Sequence, residues 1–106
     1  MQIEFTGRQT AVPPRLRAAA EKKLQKLSRT LRGITHAHVV LTADKHRQIA
    51  EVTVQSRRRK LALTAQKQSA DLASSLTTVM DRLLRQAQRH VGKRRERKAG
   101  LAEPGA

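Results

Sequence analysis

The sequence predicts an α+β fold in the order β-α-β-β-β-α, a four-stranded sheet with two helices packed on one face. Four stretches alternate apolar and polar residues with the period of two that strands require. Two longer stretches repeat apolar residues every three or four positions, as amphipathic helices do. The chain has 106 residues, the length of one domain. We expect a single domain over residues 1–98 and a short flexible tail at 99–106.

The first strand and the first helix lie in the opening third of the chain. Ile3 and Phe5 share one side of an alternating segment that Gly7 closes. Pro13-Pro14 then predicts a helix start, because proline is tolerated in the first turn. Gly33 is expected just past the end of this helix, as its C′ residue. The apolar stripe of the helix consists of Leu16, Ala20, Leu24, Leu27 and Leu31.

Three more alternating segments predict strands over 35–44, 48–56 and 61–65. Their content of β-branched residues supports the assignment. The residues expected to face the helices are Ala37, Val39, Leu41, Val52, Val54, Leu61, Leu63 and Ala65.

The second helix is predicted to begin with Ser69 as its N-cap, to hold Asp71 in its first turn and to run to about Lys98. Its spacing of apolar residues matches one face of a helix. The core stripe consists of Leu72, Leu76, Val79, Met80, Leu83 and Ala87.

The charge of the chain is its most informative property. There are 23 Lys and Arg against 8 Asp and Glu, a formal net charge of +15, and the excess is spread over the whole length. A polyanion is the expected partner, nucleic acid first and an anionic membrane surface second. No apolar run is long enough for a membrane span or a secretory signal, and the basic helices lack aromatic membrane anchors. We therefore expect a soluble cytoplasmic protein with no membrane partner.

Cations are predicted to form a row on each helix. On a wheel of 100° per residue, four cations of the second helix line one flank of its core stripe. Like charges at this spacing repel one another, so the row favours a bound polyanion over an ordinary solvated face. The first helix repeats the pattern more weakly. The candidate contacts are Lys22, Lys23, Lys26 and Arg29 on the first helix and Arg82, Arg85, Arg89 and Lys93 on the second.

A third basic element is the run between the last two strands. It contains no apolar residue and is predicted to be a hairpin tip. A contact with RNA and a solvated turn that guards a strand edge are about equally consistent with it. The run consists of Arg57, Arg58, Arg59 and Lys60.

Several function classes are disfavoured by what the sequence lacks. The chain has one Phe, no Tyr and no Trp, whereas RNA-recognition motifs stack bases on exposed aromatic residues. There is no Cys, and the pair His36 and His38 has no evident third ligand, so we expect no metal. No catalytic motif or phosphate loop is present. We expect a protein that is not an enzyme and takes no cofactor or small-molecule substrate.

Four segments, in order across residues 1–98, resemble the short ribosome hibernation-promoting factors, which include the ribosome-associated inhibitor protein. No single segment is specific, and the order and spacing carry the resemblance. The segments are MQIEFTGR, PPRLRAAAEKKLQKL, THAHVVLTADK and DLASSLTTVMDRLLRQAQRHVGK.

The resemblance implies the same β-α-β-β-β-α fold and a function. It implies a monomeric factor that binds the small ribosomal subunit near the decoding centre, contacts rRNA and neighbouring ribosomal proteins, and blocks mRNA and tRNA during stationary phase or stress. The family's basic helix positions correspond to Lys23, Lys26, Arg82, Arg85 and Arg89. Our helical wheel adds Lys22, Arg29 and Lys93 to them.

The chain departs from the family pattern in two places. Ala73 and Thr77 stand where family members often carry Tyr and Asp, and an arginine run replaces a hairpin that often contains Gly. A generic binder of double-stranded RNA, with the same outline of a sheet and basic helices, remains the alternative function. An older family label suggests modulation of an alternative sigma factor.

Overall fold

A computed structural model of the chain describes the backbone of residues 1–57 and 61–102 and the side chains of residues 1–57 and 61–91. It confirms the predicted fold class. The elements, in order, are β1 (Gln2–Arg8), α1 (Pro14–Thr30), β2 (Ile34–Asp44), β3 (Arg47–Ser56), β4 (Leu61–Ser69) and α2 (Leu72–Ala102).

The four strands form one mixed sheet in the order β1-β2-β3-β4. β1 pairs with β2 in parallel, and the two remaining pairs are antiparallel. A parallel pair needs a long crossover, which α1 supplies. The register aligns alternate residues of all four strands into rows on one face, so the sheet presents a continuous apolar surface. The central row is Phe5, Val39, Val52 and Ala65.

Both helices pack on that apolar face and contact each other. The buried core contains the predicted stripe of α1, the predicted stripe of α2 apart from Leu72, and inward residues of β2 and β3; Leu72 is partly buried and packs against this core. Phe5 is only partly buried at the β1 side, where the Arg17 guanidinium of α1 lies 4.8 Å from its ring centroid. This cation–π contact covers the ring of the single Phe in the chain. Within the described helices, no segment is long and apolar enough to cross a membrane.

α1 begins as predicted and ends slightly earlier than its glycine suggested. Pro13 is the N-cap, and its carbonyl accepts the first two helical hydrogen bonds from the amides of Leu16 and Arg17 at 3.0 Å. The C-cap is Leu31, whose side chain is buried. Gly33 therefore lies two residues past the cap, not one, and its φ of 89° allows the chain to turn into β2.

The prediction that Ser69 caps α2 was wrong. Ser69 ends β4, and Asp71 is the cap: its carboxylate accepts hydrogen bonds from the amides of Ala73 at 3.4 Å and Ser74 at 3.2 Å. The hydrogen bond from the Ser74 hydroxyl, at 3.1 Å, and those from the backbone hold the pKa of the Asp71 carboxyl below its usual value. The cap therefore stays ionised at neutral pH, beside the positive end of the helix dipole.

Ser69 instead joins a small polar network beneath the start of α2. The buried hydroxyl of Ser75 donates to the carbonyl of Gln48 and lies 2.7 Å from the hydroxyl of Ser69. These contacts tie the first turn of α2 to the ends of β3 and β4. The direction in which α2 crosses the sheet is thereby set at its first turn.

α2 extends to Ala102, past the predicted end near Lys98. The segment between them continues a run of strong helix formers, and Gly100 does not interrupt it. The expected tail at 99–106 is thus helical in its first half. Residues 103–106 lie outside the described part of the chain.

Candidate nucleic-acid interface

The described candidate cations of α1 and α2 belong to the helical layer, the layer formed by these two helices on one face of the sheet. Because the two helices pack side by side on one sheet face, their exposed side chains belong to the same side of the molecule. Lys93 lies on α2, but its side chain is outside the described residues. The candidate cations that are exposed are Lys22, Lys26, Arg29, Arg82, Arg85 and Arg89, and α1 exposes Arg15 and Arg17 as well.

A salt bridge crosses the seam between the two helices. The Lys23 ammonium of α1 lies 3.6 Å from the Asp81 carboxylate of α2, and the two side chains are 39% and 56% exposed. A pair this exposed contributes little to stability. The salt bridge instead fixes the position of Lys23, which it holds over the line where the basic surfaces of the two helices meet.

Arg82 has a protein partner that the helical wheel did not reveal. Its Nη1 donates to the carbonyl of Gln66 on β4 at 3.1 Å, and Gln86, one turn further on, donates to the carbonyl of Thr64 at 3.2 Å. Arg82 therefore lies on the β4 side of α2. Asp81, roughly 100° away on the helix, lies on the side of α1.

The remaining cations of α2 point away from the sheet. Arg85 lies roughly 60° from Arg82 around the helix, between the β4 side and the α1 side. Arg85 and Arg89 are both exposed, and neither makes a hydrogen bond or salt bridge to another residue in the part of the chain described. Both guanidinium groups are therefore open to solvent and to a partner.

The opposite face of the sheet has a different electrostatic character. Its rows carry mainly Thr, Gln and His side chains, and the charged residues on it, among those described, are Glu4, Arg8, Asp44, Arg47 and Glu51, three acidic and two basic. The positive charge of the folded domain is therefore concentrated on the helical side. This polarity orients the protein toward a polyanion.

The histidines of β2 bond to threonine hydroxyls. Nε2 of His38 lies 2.8 Å from Oγ1 of Thr6, and Nδ1 of His36 lies 3.1 Å from Oγ1 of Thr35. Across residues 1–57 and 61–91, the side chains that could ligate a metal do not form a group of three. The two histidines belong to the hydrogen-bonding surface of the sheet.

Two other features of the sequence lie at the start of α2 and after the end of β3. Ala73 and Thr77, the departures from the family pattern, line a shallow depression on α2 together with Ser74 and Thr78. Because the side chains at these positions are small, they leave this depression over the first turns of α2 unfilled. Arg57 is exposed at the end of β3, and Arg58, Arg59 and Lys60 lie outside the described residues.

Fold and surface together define an α+β domain with one strongly basic helical side. Residues 3–95 match the family described as Sigma 54 modulation protein / S30EA ribosomal protein. The match spans most of the chain, and the protein belongs to this family.

Curated relatives and solved structures agree with this assignment. The chain is 30% identical over 100 residues to a ribosome hibernation promoting factor of Azotobacter vinelandii, covering 94% of this chain and 92% of the relative. It is 27% identical over 93 residues to a protein of the same name from Klebsiella oxytoca, covering 88% of this chain and 96% of the relative.

The fold is likewise similar to two solved structures. The N-terminal domain of Thermus thermophilus Protein Y has a TM-score of 0.75 and 30% identity, covering 85% of this chain and 99% of that one. A ribosomal subunit interface protein from Coxiella burnetii has a TM-score of 0.77 and 25% identity, covering 87% and 99%.

Proposed function

We propose that the protein is a ribosome hibernation factor that binds the small ribosomal subunit near the decoding centre. In this proposal, the helical layer contacts rRNA backbone and the bound domain blocks mRNA and tRNA, which inhibits translation in stationary phase or stress. The observation that carries the proposal is the concentration of exposed cations on the helical side of the domain. It is supported by sequence similarity to proteins named ribosome hibernation promoting factor and by a fold similar to that of a ribosomal subunit interface protein.

The chemistry of this surface suits phosphate better than bases. Its charged groups are guanidinium and ammonium ions, which bind phosphate oxygens without reading sequence. The described part of the layer offers no exposed aromatic ring on which a base can stack. We therefore assign rRNA-backbone contacts to Lys22, Lys23, Lys26, Arg29, Arg82, Arg85, Arg89 and Lys93, with Arg57, Arg58, Arg59 and Lys60 as an additional contact.

The predicted domain at 1–98 supplies the whole of this function in our proposal. The two helices provide the basic surface, and the sheet keeps them at a fixed spacing. No catalytic step is required, because a folded domain seated in the mRNA path excludes its competitors by volume alone. We propose that the free protein is a monomer.

Sedimentation of a stationary-phase lysate through sucrose gradients tests the proposal. We expect the protein to migrate with small subunits or whole ribosomes at low salt and to be released as salt rises. With about six phosphate contacts, affinity should fall on the order of a thousandfold between about 50 and 200 mM salt. Distribution over total nucleic acid would favour the double-stranded RNA binder instead. Ribosome binding that is insensitive to salt would contradict a phosphate interface.

Inhibition of cell-free translation should be stoichiometric with ribosomes. Occlusion requires one bound molecule for each inactive ribosome, and removal of the protein by a high-salt wash should restore activity with intact rRNA. A catalytic inhibitor would behave differently, because a small molar fraction would inactivate the whole pool over time. Progressive loss of activity at substoichiometric protein, or washed ribosomes that stay inactive, would contradict occlusion.

A further inference from the structure

β4 is an edge strand whose outward side has few of the usual protections. Among the described residues it pairs with β3 alone. An edge strand presents unpaired backbone groups that can pair with another chain, and proteins commonly guard such edges with charges, prolines or bulges. On the face opposite the helices, β4 carries only uncharged side chains, namely Ala62, Thr64, Gln66 and Gln68. Its single charged residue, Lys67, is half-buried on the helical face.

Two side chains of α2 donate hydrogen bonds to β4, and their spacing along the helix matches the spacing of the carbonyls that accept them. Arg82 donates to the carbonyl of Gln66, and Gln86 donates to the carbonyl of Thr64. Carbonyls two residues apart on a strand point the same way and are about 6.6–6.8 Å apart. Residues four apart on a helix are separated by about 6.0 Å along its axis. The two spacings nearly coincide. The later donor bonds to the earlier carbonyl, so α2 runs antiparallel to β4 and bonds to alternate carbonyls along one side of it.

We propose that Arg82 and Gln86 form an edge clasp, which prevents β4 from pairing with β4 of a second copy and so keeps the free protein monomeric. A second strand needs the same carbonyl oxygens as acceptors, and the clasp occupies two of them.

The second copy is the expected occupant because β4 can pair with itself antiparallel about a two-fold axis. The outward-facing side chains that such pairing would bring together are uncharged, so they do not oppose it. Without the clasp, little else on this strand would prevent self-association.

The clasp is compatible with the proposed phosphate contact of Arg82. A guanidinium group has five N–H donors, and the carbonyl of Gln66 accepts a hydrogen bond from one of them, on Nη1. The remaining donors are available to an anion. The edge clasp is nevertheless a separate claim from ribosome binding, because it concerns the free protein.

The test is the pair of substitutions Arg82→Met and Gln86→Leu, which remove the donors and keep side chains of similar length. The matched control is Arg85→Met with Gln88→Leu, which removes the same residue types from exposed positions of α2 that make no side-chain hydrogen bond to the described residues of β4. Sedimentation velocity over a wide concentration range measures self-association. We expect the clasp variant to dimerise at least about tenfold more tightly than the control, equivalent to about 1.4 kcal/mol.

Hydrogen exchange identifies the associating surface. In the clasp variant, the backbone amides of Thr64 and Gln66 should become protected as concentration rises, and in the control they should not. Gln86→Leu alone, which keeps Arg82, should show a weaker form of the same effect. A clasp variant that is as monomeric as the control, or one that associates without protecting β4, overturns the proposal. Neither measurement involves ribosomes. Failure of the edge-clasp proposal therefore leaves the proposed ribosome binding untouched, and failure of ribosome binding leaves the edge clasp untouched.

Discussion

Charge reversal at Arg85 and Arg89 is expected to weaken ribosome binding by about 10²- to 10⁴-fold. Both guanidinium groups are exposed and lack a protein partner among the described residues, so their loss leaves packing unchanged. A hydrogen bond to a charged group contributes about 1.5–3 kcal/mol, and two such contacts account for the range. Arg85→Glu with Arg89→Glu, followed by co-sedimentation with small subunits and by circular dichroism, measures binding and folding separately.

The control for net charge is Lys45→Glu, in the turn between β2 and β3, with Arg47→Glu, at the first residue of β3. These residues are exposed, and the pair changes the net charge by the same amount without touching the helical layer. We expect this variant to keep most of its affinity. An equal loss in both variants would mean that total charge alone drives binding. Normal binding by the Arg85 and Arg89 variant, with native circular dichroism, would show that the row on α2 is only a solvated face.

Leu83→Asp is expected to unfold the domain. Leu83 is fully buried in α2, directly beside the exposed Arg82, so a carboxylate at this position enters the core without a partner. An unpaired buried charge costs several kcal/mol, and the lost leucine packing adds about 2–5 kcal/mol. Together they rival the roughly 5–15 kcal/mol by which a domain is stable. Thermal unfolding followed by circular dichroism should show a midpoint lowered by about 20 °C or more, or no folded baseline.

Two control variants test whether burial of the carboxylate causes the loss of stability in Leu83→Asp. Gln88→Asp introduces the same carboxylate at an exposed position of α2 and should leave the midpoint nearly unchanged. Leu83→Met conserves volume and polarity and should cost less than about 1.5 kcal/mol. A stable Leu83→Asp variant would mean that the stripe of α2 does not form the core interface.

The connectivity explains why the basic surface is one-sided. The parallel pairing of β1 and β2 requires α1 to cross over one face of the sheet, and that face carries the apolar rows. α2 is directed back over the same face from the end of β4, because Ser75 ties its first turn to Gln48 and Ser69. Two amphipathic helices that pack on one apolar face expose their cationic sides on the same side of the molecule.

Local sequence patterns determined the order of the elements, the core stripes and the cationic positions on each helix. Periodicity sufficed there, since the alternation of residues such as Ala37, Val39 and Leu41 reports burial on one face without reference to the rest of the chain. The start of α2 was misjudged because Ser69 and Asp71 are both favourable caps, and the choice depends on where β4 stops pairing.

The partners of individual cations were decided only by the tertiary structure. A helical wheel places Arg82 and Arg85 on the same flank, but it contains no information about which neighbour lies beside that flank. Packing of α2 along the edge of β4 bonds Arg82 to Gln66, and packing against α1 pairs Lys23 with Asp81. Helical periodicity is a property of one segment, whereas these contacts join residues 16 and 58 positions apart along the chain. Such contacts depend on how the segments are arranged in space, and for that reason the sequence alone identified the charged surface but not the clasp within it.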